Sequence, residues 1–300
     1  MAISQVRARI NSTWHTLTYN SATGKYEATI TAPGATSYHQ SGGYYNVTVE
    51  ATNDAGTTAT ADGSTLDGLK LVVKEKVAPV ITILSPTSGA YVTNSKQPVV
   101  FNVVDESGGS GVDLSSLVVK LDGAAVASSA IASTAIANGY SVTYTPVSAL
   151  SDGPHTVQIT CSDHDGNAAA AKSTTYTVDT VPPVLNVTAP TDGLITNATA
   201  LTVRGTTNDA TSSPVSVAIK LNGTDQGAVT VGSDGAFTKA VVLSEGSNTI
   251  VVTATDAAGK TSSVTRTITL DTSVPTIQSA TITPNPADAG ATVVISVQIG

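Results

Sequence analysis

Leu150-Ser-Asp-Gly-Pro-His-Thr-Val-Gln-Ile-Thr-Cys-Ser-Asp, ending at Asp163, returns as Leu243-Ser-Glu-Gly-Ser-Asn-Thr-Ile-Val-Val-Thr-Ala-Thr-Asp, ending at Asp256. In both copies every second residue is apolar: Val157, Ile159 and Cys161 in one, Ile250, Val252 and Ala254 in the other. A period of two sends alternate side chains to opposite faces of a strand. One face is therefore apolar and the other Thr-rich, the pattern of a half-buried antiparallel strand. A third, more distant copy starts at Tyr45 and carries Val47, Val49 and Ala51 in the same places.

Working outward, the repeat extends over most of the chain. Val77-Ala-Pro-Val-Ile-Thr recurs as Val181-Pro-Pro-Val-Leu-Asn and as Val274-Pro-Thr-Ile-Gln, and Leu117-Val-Val-Lys-Leu-Asp-Gly recurs as Val217-Ala-Ile-Lys-Leu-Asn-Gly. Pro79 and Pro183 are 104 residues apart, and Pro183 and Pro275 are 92 apart. Repeats of that size correspond to one β-sandwich each. The expected segments are 1–77, a divergent repeat, then repeats at 78–182 and 183–275, and a two-strand piece at 276–300. Asp122-Gly123, Asn222-Gly223, Asp152-Gly153, Asp165-Gly166 and Asp234-Gly235 supply the turns. Residues 124–137 are Ala-rich but interrupted, and read as strand and loop. The predicted fold class is all-β: antiparallel sandwiches in tandem with negligible helix. Short Pro-containing linkers predict a rod.

Two further motifs carry a family resemblance. Thr255-Asp-Ala-Ala-Gly-Lys-Thr followed by Leu270-Asp-Thr-Ser-Val-Pro, and Ser162-Asp-His-Asp-Gly-Asn followed by Val178-Asp-Thr-Val-Pro-Pro, resemble bacterial immunoglobulin-like repeats. The resemblance covers about residues 40–275, and the first repeat departs from it with Glu75-Lys-Val-Ala-Pro at its exit. It implies tandem immunoglobulin-like domains of the kind found in bacterial surface adhesins and in virion proteins of tailed phages. The tail Ile282-Thr-Pro-Asn-Pro-Ala-Asp-Ala-Gly makes the whole chain look more like the phage-encoded group.

Composition narrows the function classes. Fourteen Lys+Arg stand against 22 Asp+Glu, a net charge of −8, which disfavours nucleic acid as a partner. One Cys excludes an internal disulfide and a Cys-based zinc site. No apolar run reaches 18 residues, so membrane insertion by a helix is not expected. The start, Ala-Ile-Ser-Gln-Val-Arg-Ala-Arg-Ile, alternates as a strand does and lacks the 7–15-residue apolar core of an export signal. As a native start, it predicts a chain not exported by the general route.

No catalytic constellation is legible. His15, His39, His155 and His164 sit in no metalloprotease or nucleophile-elbow motif, and Ser107-Gly-Gly-Ser-Gly lacks the lysine of a phosphate loop. His155 occupies the repeat position of Asn248 and reads as a surface residue at a strand start. Cys161 aligns with Ala254 and reads as a buried small hydrophobe. Trp14 reads as core or hairpin packing, and Tyr45 as a residue packed at a sandwich corner. Tyr38 and His39, beside Gly42-Gly43, stay open as partner-binding residues.

Acidic residues converge when placed on the fold. Glu75, Asp105, Glu106, Asp163 and Asp165 fall in loops at one end of the second repeat, and Asp179, Asp209 and Asp256 fall similarly at the third. Hard oxygen ligands from several loops suit Ca²⁺, so calcium is expected at the domain junctions; the alternative is that Asp is simply a favoured turn residue. In the last segment Val293, Ile295, Val297 and Ile299 would form an exposed apolar stripe, expected to pair with another chain.

The expected function is a non-catalytic structural or binding module of a phage virion or tail-like particle. Its expected partners are other virion or tail proteins, further copies of itself in the particle, and host cell-surface glycans or proteins. The alternative is a stalk of a bacterial cell-surface adhesin. A carbohydrate-binding array of a secreted hydrolase is disfavoured by the few aromatics.

Overall fold

The computed structural model describes residues 2–300. The chain divides into two compact units, Met1–Asp179 and Thr180–Gly300.

The first unit begins with a five-stranded antiparallel sheet. Strand Ile3–Ile10 lies at its centre, between Thr13–Asn20 and Thr48–Asn53, with Lys25–Glu27 and Thr58–Ala61 outermost. Asn11 and Ser12 turn the first hairpin with φ of 45° and 69°, the positive pair that a tight two-residue turn requires. Trp14 lies across from Arg9, under the Arg7 guanidinium at 4.1 Å, while Arg7 also pairs with Glu50 at 2.6 Å. This is the hairpin packing expected of Trp14. Tyr45 is buried and donates its hydroxyl to Ala35 O at 3.2 Å, a corner-packing role.

Residues 1–77 differ from the expected sandwich. Only a two-stranded ribbon, Tyr45–Asn46 with Lys70–Leu71, accompanies the large sheet, and the only buried hydrophobics among its described residues are Val6, Ala8 and Tyr45. The physical reason is side-chain size. The face carrying Val6 and Ala8 continues through Val49, Ala51, Ala59 and Ala61, and alanines remove too little apolar area from water to build a second layer.

Residues 80–178 form a full sandwich. One sheet runs Ile131–Ile136, Gly139–Tyr144, Val99–Val104, Val80–Ser85; the other has Val112–Leu121, Gly153–Asp163 and Lys172–Val178 at its heart. Tyr91–Val92 joins the last strand in parallel. Val99, Phe101, Val103, Val119, Val142, Val157, Ile159, Cys161, Tyr176 and Val178 fill the space between the sheets. The alternation read at Val157–Cys161 is thus a core face. Burial, then the charges of Asp105 and Asp163, push the Cys161 thiol up to about 11, so it stays protonated and unreactive.

The second unit repeats this topology. Val184–Ala189, Ala200–Asn208 and Ala236–Val242 form one sheet; Leu194–Thr196, Thr261–Leu270, Gly246–Thr255, Ser216–Leu221 and Thr224–Asp225 form the other. Val203, Ile219, Phe237, Ile250, Val252, Ala254, Ile268 and Leu270 are its core. The chain is therefore all-β, with tandem immunoglobulin-like sandwiches. Among the described residues, helix is confined to three short 3-10 turns, one of them within the Ala-rich 124–137 stretch. Beyond the second sandwich, Ile277–Thr283 pairs with Val294–Ile299 as an antiparallel hairpin, and every residue of it is exposed. No helix among the described residues is long and apolar enough to cross a membrane.

Candidate functional site

Strand Val99–Val104 ends where its last side chains leave the core, and the next two residues are Asp105 and Glu106. The chain then loops back through Ser107-Gly-Gly-Ser-Gly to strand Val112–Leu121. That loop wraps the two carboxylates. Gly111, at φ +85°, donates its N–H to Asp105 Oδ2 at 2.7 Å. Gly109 lets the loop close on the carboxylates, since a Cβ there would sit 2.6 Å from Asp105 Oδ2 and 2.8 Å from Glu106 Oε1 and displace them. Glu75 arrives from the exit of the first segment. Its Oε1 accepts from the Ser110 hydroxyl at 3.1 Å and its Oε2 from Val77 N–H at 2.6 Å.

Carboxylate oxygens of Glu75, Asp105 and Glu106 all lie within 4.8 Å of one another. Asp105 Oδ1 and Glu106 Oε2 are buried without a hydrogen-bond partner, and Asp105 as a whole is only 4% exposed. Like charges at this separation repel by a few kcal/mol in a protein-like dielectric, roughly 4 kcal/mol per pair at 4 Å. Burial, the bond to Asp105, and the charges of Asp105 and Glu75 accordingly push the Glu106 carboxyl above its ordinary value. Three oxygen donors around buried, unsatisfied lone pairs are what a hard cation neutralises.

The other two acidic residues expected at this place do other work. Asp163 is buried, with Oδ1 accepting Asn167 N–H at 2.8 Å and Oδ2 the Asn167 amide at 2.7 Å. Burial raises its carboxyl, but those bonds outweigh it and hold Asp163 below the ordinary carboxylate range. Asp165 ties the first segment to the sandwich: its Oδ2 accepts from the Thr36 hydroxyl at 2.5 Å and Glu75 N–H at 3.0 Å, and its carbonyl from Lys74 Nζ at 3.0 Å. Neighbouring donors engage both, and Asp163 also shares a side-chain hydrogen bond with Glu75, so it borders the cluster of three.

Tyr38 and His39 lie beside it. A cleft of about 430 Å³ is lined by Tyr38, His39, Asp105, Glu106, Tyr140 and His164 among others. Tyr38 stacks on His164 with ring centroids 4.4 Å apart, and His39 Nε2 is 2.9 Å from Gly109 O. The first segment thereby braces the glycine loop around the carboxylates. Sequence reasoning weighed Gly109, Ser110 and Gly111 only as a phosphate loop, and did not pick out Thr36. The available signal was the adjacency of the glycine run to Asp105-Glu106.

His155 is not at the surface. It is 8% exposed, with Nδ1 2.8 Å from Asp122 Oδ2 and Nε2 2.8 Å from Ser151 O. Burial opposes its charge, but Asp122 and the Ser151 carbonyl outweigh it and raise the imidazole above its ordinary value. In the second unit Asn248 takes the same place, donating to Ser244 O at 2.7 Å and accepting from Asn222 at 3.0 Å. Both are clamps between a hairpin turn and a strand start, and neither faces a reacting group.

Comparison with known proteins agrees with the sandwiches. Residues 86–180 match the bacterial Ig-like domain family, and residues 183–272 match glucodextranase, domain B. Over 110 residues the chain is 36% identical to bacillopeptidase F of Bacillus subtilis (strain 168), covering 37% of this chain and 7% of that protein. The chain thus matches a small fraction of that relative's length. Among solved structures, fibronectin(III)-like modules of Clostridium thermocellum CbhA align at 18% identity and TM-score 0.39, over 64% of this chain and 94% of theirs. Sidekick-1 immunoglobulin domains 1-5 align at 13% identity and TM-score 0.39, over 92% of this chain and 56% of theirs. The family matches are to immunoglobulin-like modules, and they point to a non-catalytic binding or structural module.

Proposed function

We propose that the chain is a structural module of a phage virion or tail-like particle, anchored through residues 276–300. The observation that carries this reading is the exposed hairpin. Ile295, Val297 and Ile299 are 66%, 51% and 56% exposed, with Val293 at 43%, on a two-stranded ribbon that is marginal by itself in water. An uncovered apolar face with a free strand edge recruits another chain by strand addition. Other particle proteins, or further copies of this chain, are the partners this surface suits.

The acidic cluster gives the module its second feature. We assign Glu75, Asp105 and Glu106 as ligands for Ca²⁺, which would relieve their mutual repulsion and pin the exit of the first segment to the adjoining sandwich. Tyr38 and His39, at the rim of the same cleft, are the residues proposed to contact a host-surface glycan or protein.

The match of residues 86–180 to a bacterial Ig-like family favours a second reading, a stalk segment of a bacterial surface adhesin. Fractionation separates the two. The particle reading expects the protein with assembled particles and expects deletion of residues 276–300 to abolish incorporation while both sandwiches stay folded. Recovery with the cell envelope, or normal incorporation of the deleted form, would overturn it.

A further inference from the structure

The three carboxylates do not close a calcium shell among themselves. Calcium takes about six to eight oxygens, a number that three carboxylates approach only if each binds through both atoms. Three of those atoms already serve other donors. Glu75 Oε1 accepts from the Ser110 hydroxyl, Glu75 Oε2 from Val77 N–H, and Asp105 Oδ2 from Gly111 N–H. The buried oxygens without a partner are Asp105 Oδ1 and Glu106 Oε2. An ion held here therefore needs oxygens from a further source. Water fills such positions by default, and a ligand with two suitably spaced oxygens displaces it.

The cleft of about 430 Å³ is the place for that ligand. Asp105 and Glu106 line it and Glu75 does not, so it opens on their side of the cluster. Its size falls within that of small-molecule sites, roughly 300–1,000 Å³. Its wall is composite: Tyr38 comes from the first segment, Tyr140 from strand Gly139–Tyr144, and His164 from the residue after strand Gly153–Asp163.

Two features of this wall select among ligands. The first is charge. Three carboxylates already exceed the two positive charges of the ion, on a chain of net charge −8. A ligand carboxylate or phosphate would bring further like charge to the site, whereas hydroxyl oxygens coordinate without adding any. The second is aromatic. Tyr38 stacks on His164 with ring centroids 4.4 Å apart and planes within 10°, yet is 43% exposed, which leaves ring surface open to the cleft. Tyr140 adds a second, half-buried ring. An apolar plane beside a cation matches a molecule with an apolar C–H face and paired hydroxyls at its edge.

We infer that the cleft is a calcium-dependent site for a neutral saccharide, in which two adjacent hydroxyls complete the oxygen shell of the ion and Tyr38 supports the sugar ring. The inference rests on the calcium assignment above, and it narrows the surface ligand proposed for this cleft to a glycan.

The test makes two measurements on the intact chain. Calorimetric titration with calcium reads the ion site. Binding to a printed array of neutral and acidic saccharides, in calcium and in excess chelator, reads the cleft. Calcium should raise binding to a neutral saccharide by about tenfold or more over chelator. The deoxy form of that sugar, lacking one hydroxyl of the pair, should lose the gain. Tyr38→Ala should weaken saccharide binding by about tenfold while its calcium titration stays as in the parent chain. Calcium uptake with no saccharide bound above the chelator level would overturn the inference and leave the calcium assignment standing. Saccharide binding that persists in chelator, that is confined to acidic sugars, or that Tyr38→Ala leaves unchanged would overturn it too. Absence of calcium uptake refutes the calcium assignment itself, and the inference falls with it.

Discussion

The two sandwiches share a topology and differ at their ends. Asp105 and Asp209 each stand 26 residues after the opening proline. Asp209 turns its carboxylate onto its own loop, with Oδ1 accepting from Thr211 and Ser212 N–H at 2.8 and 2.7 Å. Asp105 accepts from its loop through Oδ2, and its Oδ1 is buried without a hydrogen-bond partner. At the far end the contrast is one of charge: His155 and Asp122 form an ionisable clamp where Asn248 and Asn222 form a neutral one. The same fold therefore tolerates different loop partners for the Asp at one end, and a charged or a neutral clamp at the other.

The cores are where the two should behave alike. Cys161→Asp and Ala254→Asp each bury a carboxylate with no partner, at equivalent positions 3% and 0% exposed. Each should cost several kcal/mol and unfold its own sandwich. Hydrogen exchange resolved by segment checks this, and a sandwich that survives its substitution would break the equivalence.

The acidic ends should then separate them. In chelator, Asp105→Asn should stabilise the first unit by about 1 kcal/mol or more, because it removes one of three crowded charges. Asp209→Asn should change the second unit less, because it weakens acceptance from two loop N–H groups while also relieving repulsion from Asp256, whose carboxylate lies within 4.8 Å. Urea unfolding of the two variants compares them directly. Equal stabilisation would mean the two aspartates do the same job.

Much of this was legible in the residues. The period of two at Val157–Cys161 and Ile250–Ala254 marked the core faces because burial on one side of a sheet forces alternation. The first segment misled because Thr-Val-Glu-Ala-Thr keeps the period while lacking the bulk, and periodicity reports direction rather than volume. At the site, loop adjacency brought Glu75, Asp105 and Glu106 to one place. It could not show that Asn167 and Thr36 claim Asp163 and Asp165, since those partnerships depend on side-chain reach across 129 positions in the case of Thr36. His155 looked like a surface residue because its partner Asp122 lies 33 positions away, in a turn that already had a reason to contain Asp.

A smaller effect distinguishes the clamps. The His155 imidazole is raised above its ordinary 6.5, so its contribution is complete below that pH and is lost as pH rises through the raised value. Burial pushes Asp122 up, but bonds from His155 and Thr156 N–H hold it below its ordinary 3.8. Its contribution is therefore present above that pH and lost as pH falls through the lowered value. These are two ends of one contact, so the clamp should be strongest between about pH 4 and 6.5. The double substitution His155→Asn with Asp122→Asn, copying the second sandwich, should flatten that dependence for residues 80–178. Chemical-shift titration of His155 gives its direction, and a midpoint below 6.5 would contradict the clamp.

The central claim, that Glu75, Asp105 and Glu106 hold calcium, is tested most directly by thermal unfolding of the intact chain with calcium and with chelator. Saturating calcium at about a hundred times its dissociation constant should stabilise the first unit by about 2.7 kcal/mol, raising its Tm by roughly 5–10 °C. The second unit should gain far less, and Asp105→Asn should erase the gain in the first. Identical melting of the first unit in calcium and in chelator would contradict the assignment.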